Sequence, residues 1–148
     1  MDSDPLFEAL KNISGLEVLQ TGTTGELKIR VPAARLTQTA GLLAESGACL
    51  LTMAAADTRQ VDNSFWLYVV FSLPDAHQAL EVSIAIDPAH PNYPSITPIF
   101  PAAHWLEREI NDLFGIKPKG HPDPRRLVSH PDWPEGEFPL RKDFPVDK

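Results

Sequence analysis

The sequence predicts an α+β domain: helix, two strands, helix, three strands, a further helix, and an extended proline-rich tail. Three observations lead there. Apolar residues recur at helical spacing in some segments and alternate in others, and the two kinds follow one another along the chain. The strand-like segments are joined by short polar links of the kind that close antiparallel hairpins. Twelve of the 15 prolines lie at or beyond Pro88, so long regular elements are confined to the first part and to one later helix.

Taken in order, Pro5–Lys11 reads as a short helix capped by Ser3 or Asp4. Leu16–Gln20 and Glu26–Val31 read as two strands across the turn-rich link Thr21-Gly22-Thr23-Thr24-Gly25. In the second strand Leu27, Ile29 and Val31 alternate with Lys28 and Arg30, giving one dry and one wet face. Ala34–Ser46 carries Leu36, Ala40, Leu43 and Ala44 at helical spacing, with Gly47 as its stop. Ala48–Ala55, Phe65–Leu73 and Leu80–Ile86 read as three strands, connected through Asp57–Ser64 and Pro74–Gln78. That order makes a mostly antiparallel sheet with helices on one face.

Asp87–Pro94 then reads as a rigid bend with few donors to offer a sheet, and Ile96–Phe100 as a turn. A strong helix is expected at Ala102–Phe114, where Leu106, Ile110, Leu113 and Phe114 form one stripe and Gly115 ends it. Residues 117–148 contain seven prolines and no periodic pattern. This tail is either disordered or made to lie along something, and Trp133, Phe138, Leu140, Phe144 and Val146 make it too apolar for a purely solvated linker. Extended proline-rich backbone loses little entropy on docking, which suits wrapping.

Composition excludes several function classes. The 148 residues suit one ordinary domain, 43% of them hydrophobic and 22% charged. The longest apolar run, Phe65–Phe71, is far too short to cross a bilayer, and Met1–Gly15 is acidic without the apolar stretch of a signal peptide. A soluble cytoplasmic chain is therefore expected. The net charge is −7, and no basic patch is present to hold nucleic acid. Cys49 is the one cysteine, so neither a disulfide framework nor a thiolate metal or iron–sulfur site fits, and a small buried hydrophobe is its expected role. The five histidines show no ligand spacing, and no nucleophile elbow, dinucleotide fingerprint or phosphate loop occurs.

What remains is the charged run Glu107, Arg108, Glu109 and Asp112 on the last helix. Glu109 and Asp112 are spaced to share a face. Three readings stay open: a solvated face, paired carboxylates for acid–base work, or a surface that meets the cationic pairs Arg125-Arg126 and Arg141-Lys142.

The run Glu107-Arg108-Glu109, then Asp112-Leu113-Phe114, then His121, Arg125 and an apolar pair resembles the signature of one family. It is the thirty-kilodalton (C-type) subunit family of NADH:quinone oxidoreductase, also called NADH dehydrogenase or respiratory complex I. The same family supplies the corresponding subunit of membrane-bound nickel–iron hydrogenases. Pro139-Leu140-Arg141-Lys142-Asp143-Phe144-Pro145 is also typical of it. The resemblance implies an α+β domain over 1–116 and a tail, 117–148, that docks on a partner. It further implies a subunit with no catalytic, metal or cofactor-binding residues of its own. Such a subunit sits in the peripheral arm on the cytoplasmic side, against a large-subunit-like (D-type) chain and neighbouring iron–sulfur subunits. Glu107, Arg108, Glu109, Asp112, His121, Arg125, Arg126, Arg141, Lys142 and Asp143 would then be structural and interfacial, with Arg125 and Arg126 fixed by carboxylates. The chain stops soon after the second motif, and Asp132–Gly136 looks like hydrogenase-type members, so both parent complexes stay open.

Overall fold

A computed structural model describes residues 4–19, 26–74 and 77–146. The expected turn at 21–25, the alternative cap Ser3, and part of the link after Pro74 lie outside the described residues.

Helix α1 (Pro5–Lys11) starts where Asp4 accepts the Leu6 N–H at 2.9 Å, with proline at the first helical position. β1 (Glu17–Leu19) and β2 (Leu27–Arg30) follow, and β2 buries Leu27 and Ile29 while Lys28 and Arg30 face outward. A 3-10 turn at Ala33–Arg35 leads into α2 (Leu36–Glu45), which buries Leu36, Thr39, Ala40 and Leu43. β3 (Cys49–Asp57), α3 (Arg59–Asp62), β4 (Phe65–Leu73) and β5 (Gln78–Ile86) complete the central region. The single turn α3 lies inside the stretch expected to be only a link, where Thr58 and Asp62 bond each other and Asn63 closes it in the left-handed region.

The five-stranded sheet has the order β1-β2-β5-β4-β3. All its pairings are antiparallel except β2 with β5, which are parallel because α2 carries the chain across the sheet before β3 begins. In β4, Phe65, Leu67, Val69, Phe71 and Leu73 are buried and the residues between them are half-buried. They meet Leu80, Val82, Ile84 and Ile86 of β5 and the apolar sides of α1 and α2 in one core. Each such side chain contributes roughly 1.5–3 kcal/mol of transfer free energy. The opposite face is wetter: Lys28 lies 3.7 Å from Glu81, Arg30 3.4 Å from Glu17, and the Arg30 guanidinium stacks over Trp66.

Two expectations are corrected. Cys49 is exposed, because it opens an edge strand at its outer rim. The bend before the last helix and the start of the tail are not wholly irregular. β6 (Asn92–Pro94) pairs in parallel with β7 (Lys117–Lys119), flanking α4 (Ala103–Phe114). A two-stranded ladder tolerates Pro94 and Pro118 because each strand needs donors on one side only. Gly115 ends α4 in the left-handed region at φ 70°, and the space a Cβ would need is taken by Phe138 and Arg141.

Replacing Ile84 by Ala empties the centre of this core and is expected to cost about 2–5 kcal/mol in urea unfolding. A loss well under 1 kcal/mol would show that the β5 contacts are not central.

Candidate functional site

Helix α4 has to face three environments at once, and its charged residues sort themselves accordingly. Glu107, on the inner side, is completely buried. Its carboxylate accepts from the Ser95 hydroxyl at 2.6 Å, the Ile96 N–H at 2.8 Å and the Thr97 hydroxyl at 2.8 Å. Three donors on one buried carboxylate offset the loss of water that would otherwise expel the charge. The acceptor thereby closes the turn after β6 onto the middle of the helix.

His121, just beyond β7, is buried beside this group, with Nε2 3.9 Å from Glu107. Nε2–H donates to the His104 carbonyl at 3.0 Å, while Nδ1 accepts the Asp123 N–H at 3.0 Å. That pattern requires the tautomer with its proton on Nε2. The His104 ring packs against it at 4.7 Å between centroids.

Arg108 and Asp112, one turn apart, face the tail. Arg108 donates from Nε to the Arg125 carbonyl at 2.8 Å and from Nη2 to the Arg126 carbonyl at 2.9 Å. Its guanidinium also stacks on Trp105. Asp112 accepts through one oxygen from the N–H groups of Leu127, Val128 and Ser129, at 3.3, 2.8 and 2.7 Å. Burial pushes the Asp112 carboxyl up, but the Ser129, Val128 and Leu127 donors outweigh it and hold the group below its ordinary range. The helix thus offers a cation to consecutive carbonyls and an anion to the consecutive amides that follow. Glu109, expected to share a face with Asp112, is exposed instead.

The tail arginines find different partners. Arg125 forks onto Asp123 with two bonds of 2.7 Å but is otherwise exposed. Arg126 donates to the Trp133 carbonyl rather than to a carboxylate. Farther along, Trp133 stacks on Phe144, and Arg141 lies between the rings of Phe65 and Phe138 at 5.0 and 4.4 Å while donating to the Phe114 carbonyl at 2.7 Å. Burial, then the nearby Arg59 charge, lowers the Arg141 pKa from its ordinary value.

One anchor had no signal in the motif reading. Asp57, at the end of β3, has a side chain only 1% exposed and binds Arg59 at 2.8 and 2.7 Å. It also accepts the Lys142 N–H at 2.8 Å, and Arg59 reaches on to Asp143 at 2.8 Å. The Arg59 guanidinium outweighs burial and holds the Asp57 carboxyl well below the carboxylate range. Two of the motif residues are thus captured from about half a chain away in sequence, Lys142 by the end of β3 and Asp143 by the start of α3. The one sequence signal that could have marked this anchor is the opposite charge of Asp57 and Arg59 two residues apart.

Among the described residues no group of three His, Cys, Asp or Glu side chains converges to hold a metal ion, and no helix is long and apolar enough to cross a membrane. The contacts these signature residues make are ion pairs and hydrogen bonds to hydroxyls and main-chain groups.

Residues 29–148 match the family model described as respiratory-chain NADH dehydrogenase, 30 Kd subunit. Formate hydrogenlyase subunit 5 of Escherichia coli (strain K12) is 40% identical over 100 residues, which are 67% of this chain and 18% of that one. The C-type subunit of the NADH-quinone oxidoreductase of Caulobacter vibrioides is 37% identical over 127 residues, 82% of this chain and 62% of that one. The chain therefore spans less than two thirds of either relative. Among solved structures, a chain of the membrane-bound sulfane sulfur reductase, an archaeal respiratory membrane complex, superposes with a TM-score of 0.80. It is 25% identical, covering 95% of this chain and 84% of that one.

Asp57 and Asp112 titrate below their unfolded values, so each adds stability above the ordinary carboxylate pKa and loses it as pH falls through the folded pKa. Limited proteolysis of the tail is expected to accelerate below about pH 4, and less steeply in Asp57→Asn. Identical pH profiles for both proteins would refute this role. Asp112→Ala strands three amides and is expected to cost about 1–3 kcal/mol, read as faster hydrogen exchange at 127–129.

Proposed function

The chain belongs to the respiratory-chain NADH dehydrogenase 30 Kd subunit family, and we propose that it is the cofactor-free peripheral-arm subunit of a complex I-type NADH:quinone oxidoreductase. In this reading it packs against the large-subunit-like, D-type chain and neighbouring iron–sulfur subunits, on the cytoplasmic side of the membrane. Its contribution to electron transfer to quinone is to hold those chains in place.

The observation that carries the reading is how the signature is used. Glu107, Arg108 and Asp112 are turned onto hydroxyls and main-chain groups of the chain itself. Both oxygens of Glu107 are occupied, and Arg108 and Asp112 spend their bonds on the main chain of the tail, which leaves a shaped surface. This structural use is favoured over acid–base work by Glu109 with Asp112, because Asp112 is committed to three amides. The tail, pinned from beneath, presents Arg125 and Val128 outward, and these suit contact with another subunit.

A second parent, the equivalent subunit of a membrane-bound nickel–iron hydrogenase, is favoured by one observation: the 40% identity to formate hydrogenlyase subunit 5. The two parents differ in the large subunit's chemistry, not in this chain's role.

Affinity purification of the tagged chain from membranes is expected to recover a large-subunit-like protein, and recovery of none would overturn the proposal. The recovered assembly's activity, NADH-dependent quinone reduction or hydrogen evolution, decides the parent. Arg125→Ala is expected to reduce that recovery while the isolated chain melts unchanged; an equal loss in the isolated chain would assign Arg125 to folding alone.

A further inference from the structure

We propose that the outer edge of β3, with the groove beside it, receives an extended segment of a neighbouring subunit bearing one basic and one acidic residue, which joins the sheet as a sixth strand. This deepens the assembly reading above and rests on it.

The two edges of the sheet are built differently. β1 closes one side with three residues and carries Glu17, which pairs with Arg30. Short, charged edge strands resist pairing with other chains. β3 closes the other side with nine residues, and from Cys49 to Ala56 it holds no charge and no proline. Its one irregularity is a bulge between Leu50 and Thr52. Among the described residues, only β4 bonds the main chain of Leu50–Ala56. The outward N–H and C=O groups of that stretch are a template for another backbone.

The space beside this edge has room for side chains. Met53, Ala54 and Ala55 face Glu109, Ile110, Leu113, Phe114 and Leu140 across a cavity of about 240 Å³. It continues past Ala56 and Thr58 to Lys142 as a second cavity of about 380 Å³. The alanines make the groove shallow-walled on the strand side, and Leu140, which lines it, is 49% exposed; Leu51, earlier on the same strand, is 57% exposed. Exposed apolar side chains on and beside a strand with a free edge suit contact with another chain.

Charge selects the occupant. Glu109 stands beside the middle of the strand, and Lys142 beside its Asp57 end. Self-pairing of two β3 strands about their centre would bring the two Glu109 carboxylates together, an unfavourable arrangement. An occupant with a basic residue opposite Glu109 and an acidic residue opposite Lys142 meets complementary charge at both places.

The test compares the purified assembly with the isolated full-length chain by hydrogen exchange. Amides within 50–56 are expected to slow roughly tenfold or more on assembly. Leu140→Glu and Glu109→Lys, both at exposed positions, are each expected to lower partner recovery several-fold while the isolated chain melts normally. An assembly that forms with β3 exchanging as in the free chain would overturn this inference and leave the assembly reading intact. Recovery of no partner would bring down both. Concentration-dependent protection of β3 in the isolated chain, with dimers in sedimentation, would overturn it in favour of a second copy.

Discussion

The start of the tail depends on one helix supplying opposite charges to a backbone that has no ladder of its own from 125 to 129. A segment with seven prolines in 117–148 has few amides to build a ladder, yet its carbonyls and remaining N–H groups still need partners. Arg108 gives its donors to consecutive carbonyls, and one turn later Asp112 collects consecutive amides. The spacing of four along α4 matches the step from carbonyls to amides along the extended chain. A lysine in place of Arg108 would keep the charge but lose the fork.

Glu107 sets the register of this arrangement from the other side. A carboxylate without water is costly, and only the full set of Ser95, Ile96 and Thr97 donors makes its position tolerable. A helix rotated by one residue would leave the charge unpaired. Burying Glu107 therefore fixes which face of α4 Arg108 and Asp112 present to the tail.

The core was legible because it obeys simple periodicities. Phe65–Leu73 is a strand with the expected ends, and Pro5–Lys11 a helix with the expected cap. The sheet's composition of antiparallel pairs with helices on one face follows from the same alternation. The site was legible in identity more than in connection. Glu109 and Asp112 share helical spacing, yet one is exposed and the other buried, because burial depends on where the tail returns. Contact between the α4 face and the tail's cationic pairs is one of three readings the sequence leaves open; the tail does meet this face, but through main-chain groups, and a backbone carbonyl leaves no mark in a sequence. The parallel pairing of β2 with β5, the ladder of β6 with β7, and the capture of Lys142 by Asp57 are all long-range encounters of this kind. Cys49 went wrong for a related reason: its apolar neighbours suggested the interior, while its strand lies at the rim.

The Asp57 knot joins positions 85 apart in the chain. During synthesis, β3 and α3 leave the ribosome long before Lys142 does, so for that interval Asp57 has Arg59 as its partner but lacks the Lys142 amide. The bond that ties the tail to the sheet is thus among the later ones to become available. Fastening of the tail acts as a latch that closes only once the sheet and α4 have already emerged.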